Sequence, residues 1–271
     1  MEKRKTNVLL VTIALFVATF MTAIEGTIVS TAMPTIISNL HGMRLMNWVF
    51  SIYLLTNAMM TPIYGKMADR IGRKPIFIFG LVLFVIGSSL CGLSNHMETL
   101  IISRAIQGLG AGAIMPVSFT IIADIYPIEK RAKVLGFNGS AWGIASIIAP
   151  LLGGFIVDKL TWHWIFFINV PIGLITIGLI WYFLQEEKRT SDQPIDYWGS
   201  FWLMMALLGL LYGFQLMGET HLSWGLLVPA LVIAVVAFIL FVRVEKKAQD
   251  PIISLSLFKN RTSWFKMRSP L

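Results

Sequence analysis

The sequence predicts an all-α membrane protein: six apolar helices in two three-helix repeats, followed by a further helix pair. Three observations carry this. Of the 271 residues, 56% are hydrophobic and only 13% charged, against about 25% charged in an ordinary soluble domain. The apolar residues fall into runs of about twenty, the length of helix that crosses a hydrocarbon core about 30 Å thick. The cations collect in alternate connections between those runs. Mean hydropathy is +0.74.

The runs extend approximately over 8–31, 48–64, 76–93, 100–122, 134–157, 164–184, 199–217 and 224–242, here spans 1 to 8. Span 1 follows the basic opening Met1-Glu2-Lys3-Arg4-Lys5 and so resembles a secretory leader. Its apolar stretch passes Val29 with no small-residue cleavage pattern, and it reads as an uncleaved helix. Between spans 2 and 3, Gly65 to Pro75 carries five charges in eleven residues. It reads as a short tether, with Gly65 and Gly72 permitting turns and Pro75 suiting the first turn of span 3.

An even number of spans places both termini and every second connection on one side. That side collects 19 of the 22 Lys and Arg, the other side has Arg44 and Lys159, and Arg104 alone lies within a span. By the positive-inside rule both termini are expected on the cytoplasmic side, and a multi-pass protein of the cell membrane is the expected setting. The net charge of +8 is thereby explained by topology, and nucleic acid is not an expected partner; the lipid bilayer is. Residues 1–185 are expected to form the six-helix bundle, 186–198 a cytoplasmic linker, 199–243 the extra pair and 244–271 a cytoplasmic tail. After Asp250-Pro251 the tail opens on an amphipathic stretch to Phe258 and does not span.

Two ionisable residues interrupt the spans, one in each three-helix repeat. Glu25 lies some two thirds of the way along span 1 at about 1.5 Å rise per residue, and Arg104, entering span 4 from the other side, reaches a similar depth. A charge in the bilayer interior is costly and marks ion or substrate pathways. A carboxylate governed by an approaching cation is a proton carrier. A structural ion pair that fixes helix packing is the alternative. Gln107 and Asn57 are polar residues of spans 4 and 2 and join Glu25 as candidate substrate contacts.

Gly108, Gly110 and Gly112 follow Arg104 at spacings that let helices approach closely. Span 5 carries Gly136, Gly139, Gly143, Pro150, Gly153 and Gly154, and is expected to bend and pack tightly. Asp124 ends span 4 where Arg70 or Arg73 can pair with it, as a state-dependent latch or as a solvated surface pair worth about 0–1 kcal/mol.

Cys91 is the single cysteine, and His41, His96, His163 and His221 lack ligand spacing. No metal or cofactor is expected. Trp48, Trp162, Trp164 and Trp224 fall near span boundaries and read as interface anchors. Nothing resembles a nucleotide-binding loop or a nucleophile elbow, so neither an enzyme nor an ATP-driven pump is expected.

These motifs together resemble the N-terminal part of a major facilitator superfamily transporter, of the fourteen-helix drug:proton antiporter group. Gly65 to Phe77, with Asp69, Arg70, Gly72, Arg73 and Lys74, is similar to the group's loop 2–3 motif. Arg104 to Gly112 resembles its helix 4 motif, whose arginine is assigned to proton coupling. Gly143 to Gly154 resembles the helix 5 antiporter motif, with Ala149 before Pro150 in place of the usual glycine. Ile24 to Pro34 resembles the helix 1 motif, with Glu25 where Asp is usual. Trp162 to Pro171 is also typical, with His163 where Arg is commoner.

The resemblance implies proton-coupled efflux of lipophilic or cationic compounds. Glu25 and Arg104 would then handle the proton, and Gly65, Asp69, Arg70, Gly72, Arg73 and Asp124 the cytoplasmic gate. Family members continue past a segment like Leu257 to Arg261 into a second six-helix half, whereas ten residues remain here. The chain is thus expected to be a truncated form, or one part of a split transporter whose partner is a second half. A non-transporting remnant or partner subunit, and an exporter of an endogenous metabolite, are the alternatives.

Overall fold

The computed structural model describes residues 6–186, 196–218 and 223–246. The basic opening, most of the linker, His221 and the tail from 247, with its amphipathic stretch, lie outside the described residues. The chain divides into two compact units, Met1–Thr190 and Ser191–Leu271. No strand occurs among the described residues.

The first unit contains α1 (Val8–Leu40), α2 (Met46–Ile71), α3 (Arg73–Gly92), α4 (Met97–Ile125), α5 (Ile128–Lys159), α6 (Trp164–Phe167) and α7 (Asn169–Phe183). Each expected span is present, and most run several residues past the apolar limits, because polar end turns project beyond the oil. Only α2 falls outside the helices long and apolar enough on composition to cross a membrane. Its length and its place in the bundle make it a span all the same.

Extension of α2 to Ile71 corrects the reading of the tether. Gly65 is no turn but an interior helical position with open space where a side chain would be. The reversal is made by Gly72 alone, at φ 116° and ψ 149°. This backbone region is open essentially only to glycine, and the Glu186 carboxylate and Pro75 occupy the space a Cβ would need. Gly72→Ala is expected to cost about 1–3 kcal/mol, measured as a lowered unfolding midpoint in lipid nanodiscs.

Span 6 runs over Trp164–Phe183. Its hydrogen-bond ladder changes at Ile168, in helical backbone at φ −58° and ψ −28°, which divides α6 from α7 just before Pro171, whose missing N–H leaves the Phe167 carbonyl without its helical partner. Trp162 is also corrected: only 3% exposed, it stacks on His163 and meets Phe166 edge-on, as a core residue and no interface anchor. Trp164 and Trp224 are exposed.

In the bundle, α4 lies between α2 and α3, α1 runs along α5, and α7 packs on α3 and α1. Glycines decide the closest approaches. A Cβ at Gly108 would strike the Tyr53 carbonyl and Thr56 of α2; one at Gly110 would strike Gly80 and Phe84 of α3. Tight packing of α5 is not found at most of its glycines. Gly153 touches Ile28 and Thr31 of α1, whereas Gly136, Gly139, Gly143 and Gly154 have nothing near. The helix runs unbroken through Pro150.

Two apolar clusters fill the bundle. One, around Leu15, Tyr64, Phe77 and Phe84, occupies the end that carries loop 2–3; the other, around Ile28, Met33, Leu100 and Phe166, occupies the opposite end. The polar layer described below lies where they meet. In the second unit α8 (Tyr197–Met217) and α9 (Trp224–Glu245) pack on each other, Gly209 of α8 lying against the backbone of Ala230 and Ala234.

Candidate functional site

Glu25 on α1 and Arg104 on α4 meet inside the first unit. Arg104 Nη1 donates to Glu25 Oε1 at 2.6 Å, and the two side chains are 0% and 1% exposed. Each terminus of this pair is held by further groups. The same Nη1 donates to Gln107 Oε1 at 2.9 Å, one turn along α4, and Arg104 Nε donates to the Val49 carbonyl of α2 at 3.2 Å. The ring of Tyr53 lies 4.1 Å from the guanidinium carbon, an aromatic face presented to a desolvated cation.

The other carboxylate oxygen is held from span 6. Asn169 Nδ2 donates to Glu25 Oε2 at 2.7 Å and lies 3.0 Å from Ser88 Oγ, whose hydroxyl donates to the Phe166 carbonyl at 2.8 Å. Asn169 is the first residue of α7. Cys91 Sγ donates to Gln107 Oε1 at 3.6 Å. The layer therefore ties α1, α2, α3, α4 and the α6–α7 junction around one carboxylate.

This arrangement satisfies the physics of a buried ion pair. Removal of two charges from water costs several kcal/mol each, offset only with close geometry and hydrogen bonds to the remaining lone pairs and protons. Here both carboxylate oxygens and two of the guanidinium nitrogens have partners. Chemically, the site can hold a proton on one carboxylate and exchange it against the nearby cation.

Asn57, the third candidate substrate contact, is not in this layer. It is half-buried one turn beyond Tyr53 on α2 and accepts from Thr61 through its carbonyl at 2.9 Å. Gln107 is in the layer, fully buried.

The loop 2–3 residues gather at one end of the bundle. Arg73 forms an ion pair with Asp124 of α4 and a second, at 3.4 Å, with Asp69 one turn back. Arg73 thus takes the role that either it or Arg70 was expected to fill. Of the helix 5 motif, Gly153 faces into the bundle, Pro150 lies inside α5 on an exposed face, and nothing lies near a Cβ at Gly143 or Gly154.

Sequence reasoning did not assign Asn169, Ser88 or Glu186 a part in these two places, nor the capping contacts of Lys74. Asn169 was in view within Trp162 to Pro171, the one side-chain amide just ahead of a proline, and that was the available signal. Ser88 had none. Glu186 accepts from the Arg73 and Lys74 amides at 2.6 and 2.9 Å, capping α3, and Lys74 Nζ donates to the Trp181 and Leu184 carbonyls at 2.7 and 2.6 Å, capping α7. Each charge lies on the helix end that its sign favours.

The family model described as Major Facilitator Superfamily matches residues 15–244. The chain belongs to this superfamily. It is 42% identical over 253 residues to multidrug resistance protein 3 of Bacillus subtilis, covering 93% of this chain and 49% of that one. It is 40% identical over 265 residues to the multidrug transporter protein MdtP of the same organism, covering 97% and 49%. A multidrug efflux pump of Staphylococcus aureus, SdrM, is 39% identical, covering 91% and 55%. The chain spans about half the length of these curated relatives.

Among solved structures, the human organic anion transporter MFSD10 superposes with a TM-score of 0.60 at 16% identity, over 81% of this chain and 58% of that one. The proton:xylose symporter XylE gives 0.59 at 14% identity, over 88% and 52%. At such identities the likeness concerns the superfamily fold alone. Seven described helices are long and apolar enough to cross a membrane, and the chain is a multi-pass membrane protein of this superfamily.

Proposed function

We propose that this chain supplies the proton-handling half of an antiporter that expels lipophilic or cationic compounds across the cytoplasmic membrane, in the fourteen-helix drug:proton group. Glu25 exchanges the proton, and Arg104 governs how readily it does so. Cationic substrate competes for the same carboxylate, with Gln107 and Asn57 as further contacts. The single observation that carries this reading is the Glu25–Arg104 pair at 2.6 Å, closed off from solvent between two apolar clusters. A charge is kept in oil at this cost where it is used.

The termini lie on the cytoplasmic side, as the alternation of cations requires. On that side Arg73, Asp69 and Asp124 form the gate, with Arg70, Gly65 and Gly72 around it, and the ion pair of Arg73 with Asp124 is made and broken as the bundle tips. The partner for that tipping is a second six-helix half, and the helix 5 motif of Gly143, Pro150, Gly153 and Gly154 belongs to the moving part.

The test is transport by the chain joined to a second six-helix half, in proteoliposomes under an imposed pH gradient with a lipophilic cationic dye. Dye moves against its gradient with Glu25 present, and Glu25→Gln stops it while the variant still folds and inserts in the proteoliposomes. Continued uphill movement by the Gln variant removes Glu25 from the mechanism.

A further inference from the structure

The two oxygens of Glu25 face different chemistry. Oε1 meets Arg104, which has donors only; Oε2 meets the amide nitrogen of Asn169 at 2.7 Å. A carboxylate accepts from both. Once Glu25 takes up a proton its O–H is a donor and needs an acceptor, which Arg104 cannot be. Gln107 Oε1 already accepts from Arg104 and from Cys91. Of the groups that hold Glu25, Asn169 offers an acceptor at the other end of its amide, brought round by a half-turn of that group.

That half-turn has a second consequence. The nitrogen that now touches Glu25 also lies 3.0 Å from Ser88 Oγ. With the amide reversed, an oxygen stands in its place, and the Ser88 hydroxyl turns toward it. Its present acceptor, the Phe166 carbonyl at 2.8 Å, is then released. Phe166 lies two residues before Ile168, where the hydrogen-bond ladder of span 6 changes.

We propose that Asn169 is a positioning residue that senses the charge of Glu25 through its reversible amide and passes it, through Ser88, to the junction between α6 and α7. The proposal rests on the reading of Glu25 as the proton carrier. The only covalent change is the proton transfer itself: one O–H bond of hydronium breaks, leaving water, as one O–H forms on the carboxylate. The titratable groups facing Glu25 are Arg104 from α4, Tyr53 from α2 and Cys91 from α3. None of them reaches the α6–α7 junction by the hydrogen bonds described; Asn169 does.

Amide hydrogen exchange over residues 164–170 tests this in the 271-residue chain in lipid nanodiscs. Glu25→Gln imitates the protonated acid, its amide N–H donating to Asn169 as the O–H would. Exchange at the junction is expected to rise roughly tenfold in Glu25→Gln, the factor that one ordinary hydrogen bond supplies. In the Asn169→Leu background the same change is expected to have no effect. An unaltered rate in Glu25→Gln, or an equal rise without Asn169, overturns the proposal.

Should Asn169→Leu fail to fold, Ser88→Ala carries the test. Its junction exchanges fast whatever residue 25 is, and an undiminished response to Glu25→Gln in that background overturns the coupling. Uphill dye export that survives Glu25→Gln sinks the transport reading and leaves this link intact. Loss of the link with export still dependent on Glu25 does the reverse.

Discussion

Arg104→Leu is expected to cost about 3–5 kcal/mol of stability, and Glu25→Leu a similar amount, because each leaves its partner as a buried charge with nothing opposite. In Arg104→Leu the carboxylate keeps only uncharged partners, Asn169 at 2.7 Å on its second oxygen among them. In Glu25→Leu the guanidinium keeps Gln107 and the Val49 carbonyl, neither of which carries charge. The double variant has no unpaired charge to bury. It is expected to recover stability such that the coupling between the two sites is at least about 2 kcal/mol, measured as unfolding free energies in a double-mutant cycle in nanodiscs. Additive losses would mean that the pair does not bear on stability as its geometry requires. The cycle separates the structural part of the pair from the functional part, since transport by the double variant is expected to be lost even where the fold is regained.

The depth of these two residues was legible in the sequence because rise per residue is fixed in a helix, and an acid and a base counted from opposite ends of antiparallel spans reach the same level. That they touch follows from the small residues of α4. Gly108 and Gly110 bring α2 and α3 so close that the guanidinium is enclosed on both sides, and their spacing was equally plain. What could not be read was the contribution of span 6. Ser88 is one hydroxyl in an apolar run, and its meaning depends on which carbonyl of span 6 the packing brings to it. Asn169 reaches Glu25 because α7 packs against α1 and α3, a tertiary fact that no local signal ahead of Pro171 carries.

Loop 2–3 shows the opposite error. Its charges and glycines made it read as a tether, yet a helix continues through Lys66, Asp69 and Arg70 to Ile71. Charged residues are good helix formers, and composition marks where the oil ends, which is not where the helix ends. Glu186 was invisible for a related reason. It sits in a polar linker where acids are ordinarily solvated, and only the fold brings the start of α3 to its carboxylate.

The second large effect is expected at Gly108, where one methyl group must push a helix aside. An alanine Cβ there would overlap the side chain of Thr56 and the carbonyl of Tyr53, on the face of α2 that supports Arg104. A flexible side chain could yield, but a carbonyl of helical backbone moves only with its helix. Gly108→Ala is therefore expected to destabilise by about 1–3 kcal/mol through overpacking, although alanine is the better helix former by about 0.5–1 kcal/mol. Gly154→Ala is the matched control, since nothing lies within 4 Å of a Cβ at that position. It is expected to leave the unfolding midpoint unchanged or to raise it slightly. The displaced helix carries Tyr53, whose ring lies 4.1 Å from the guanidinium of Arg104, and Val49, whose carbonyl accepts from it. Tyrosine fluorescence and the coupling between residues 25 and 104 are thus expected to change in Gly108→Ala and not in Gly154→Ala. Equal midpoints for the two variants would show that α2 and α4 are not in the contact described, and the enclosure of Arg104 would then need another cause.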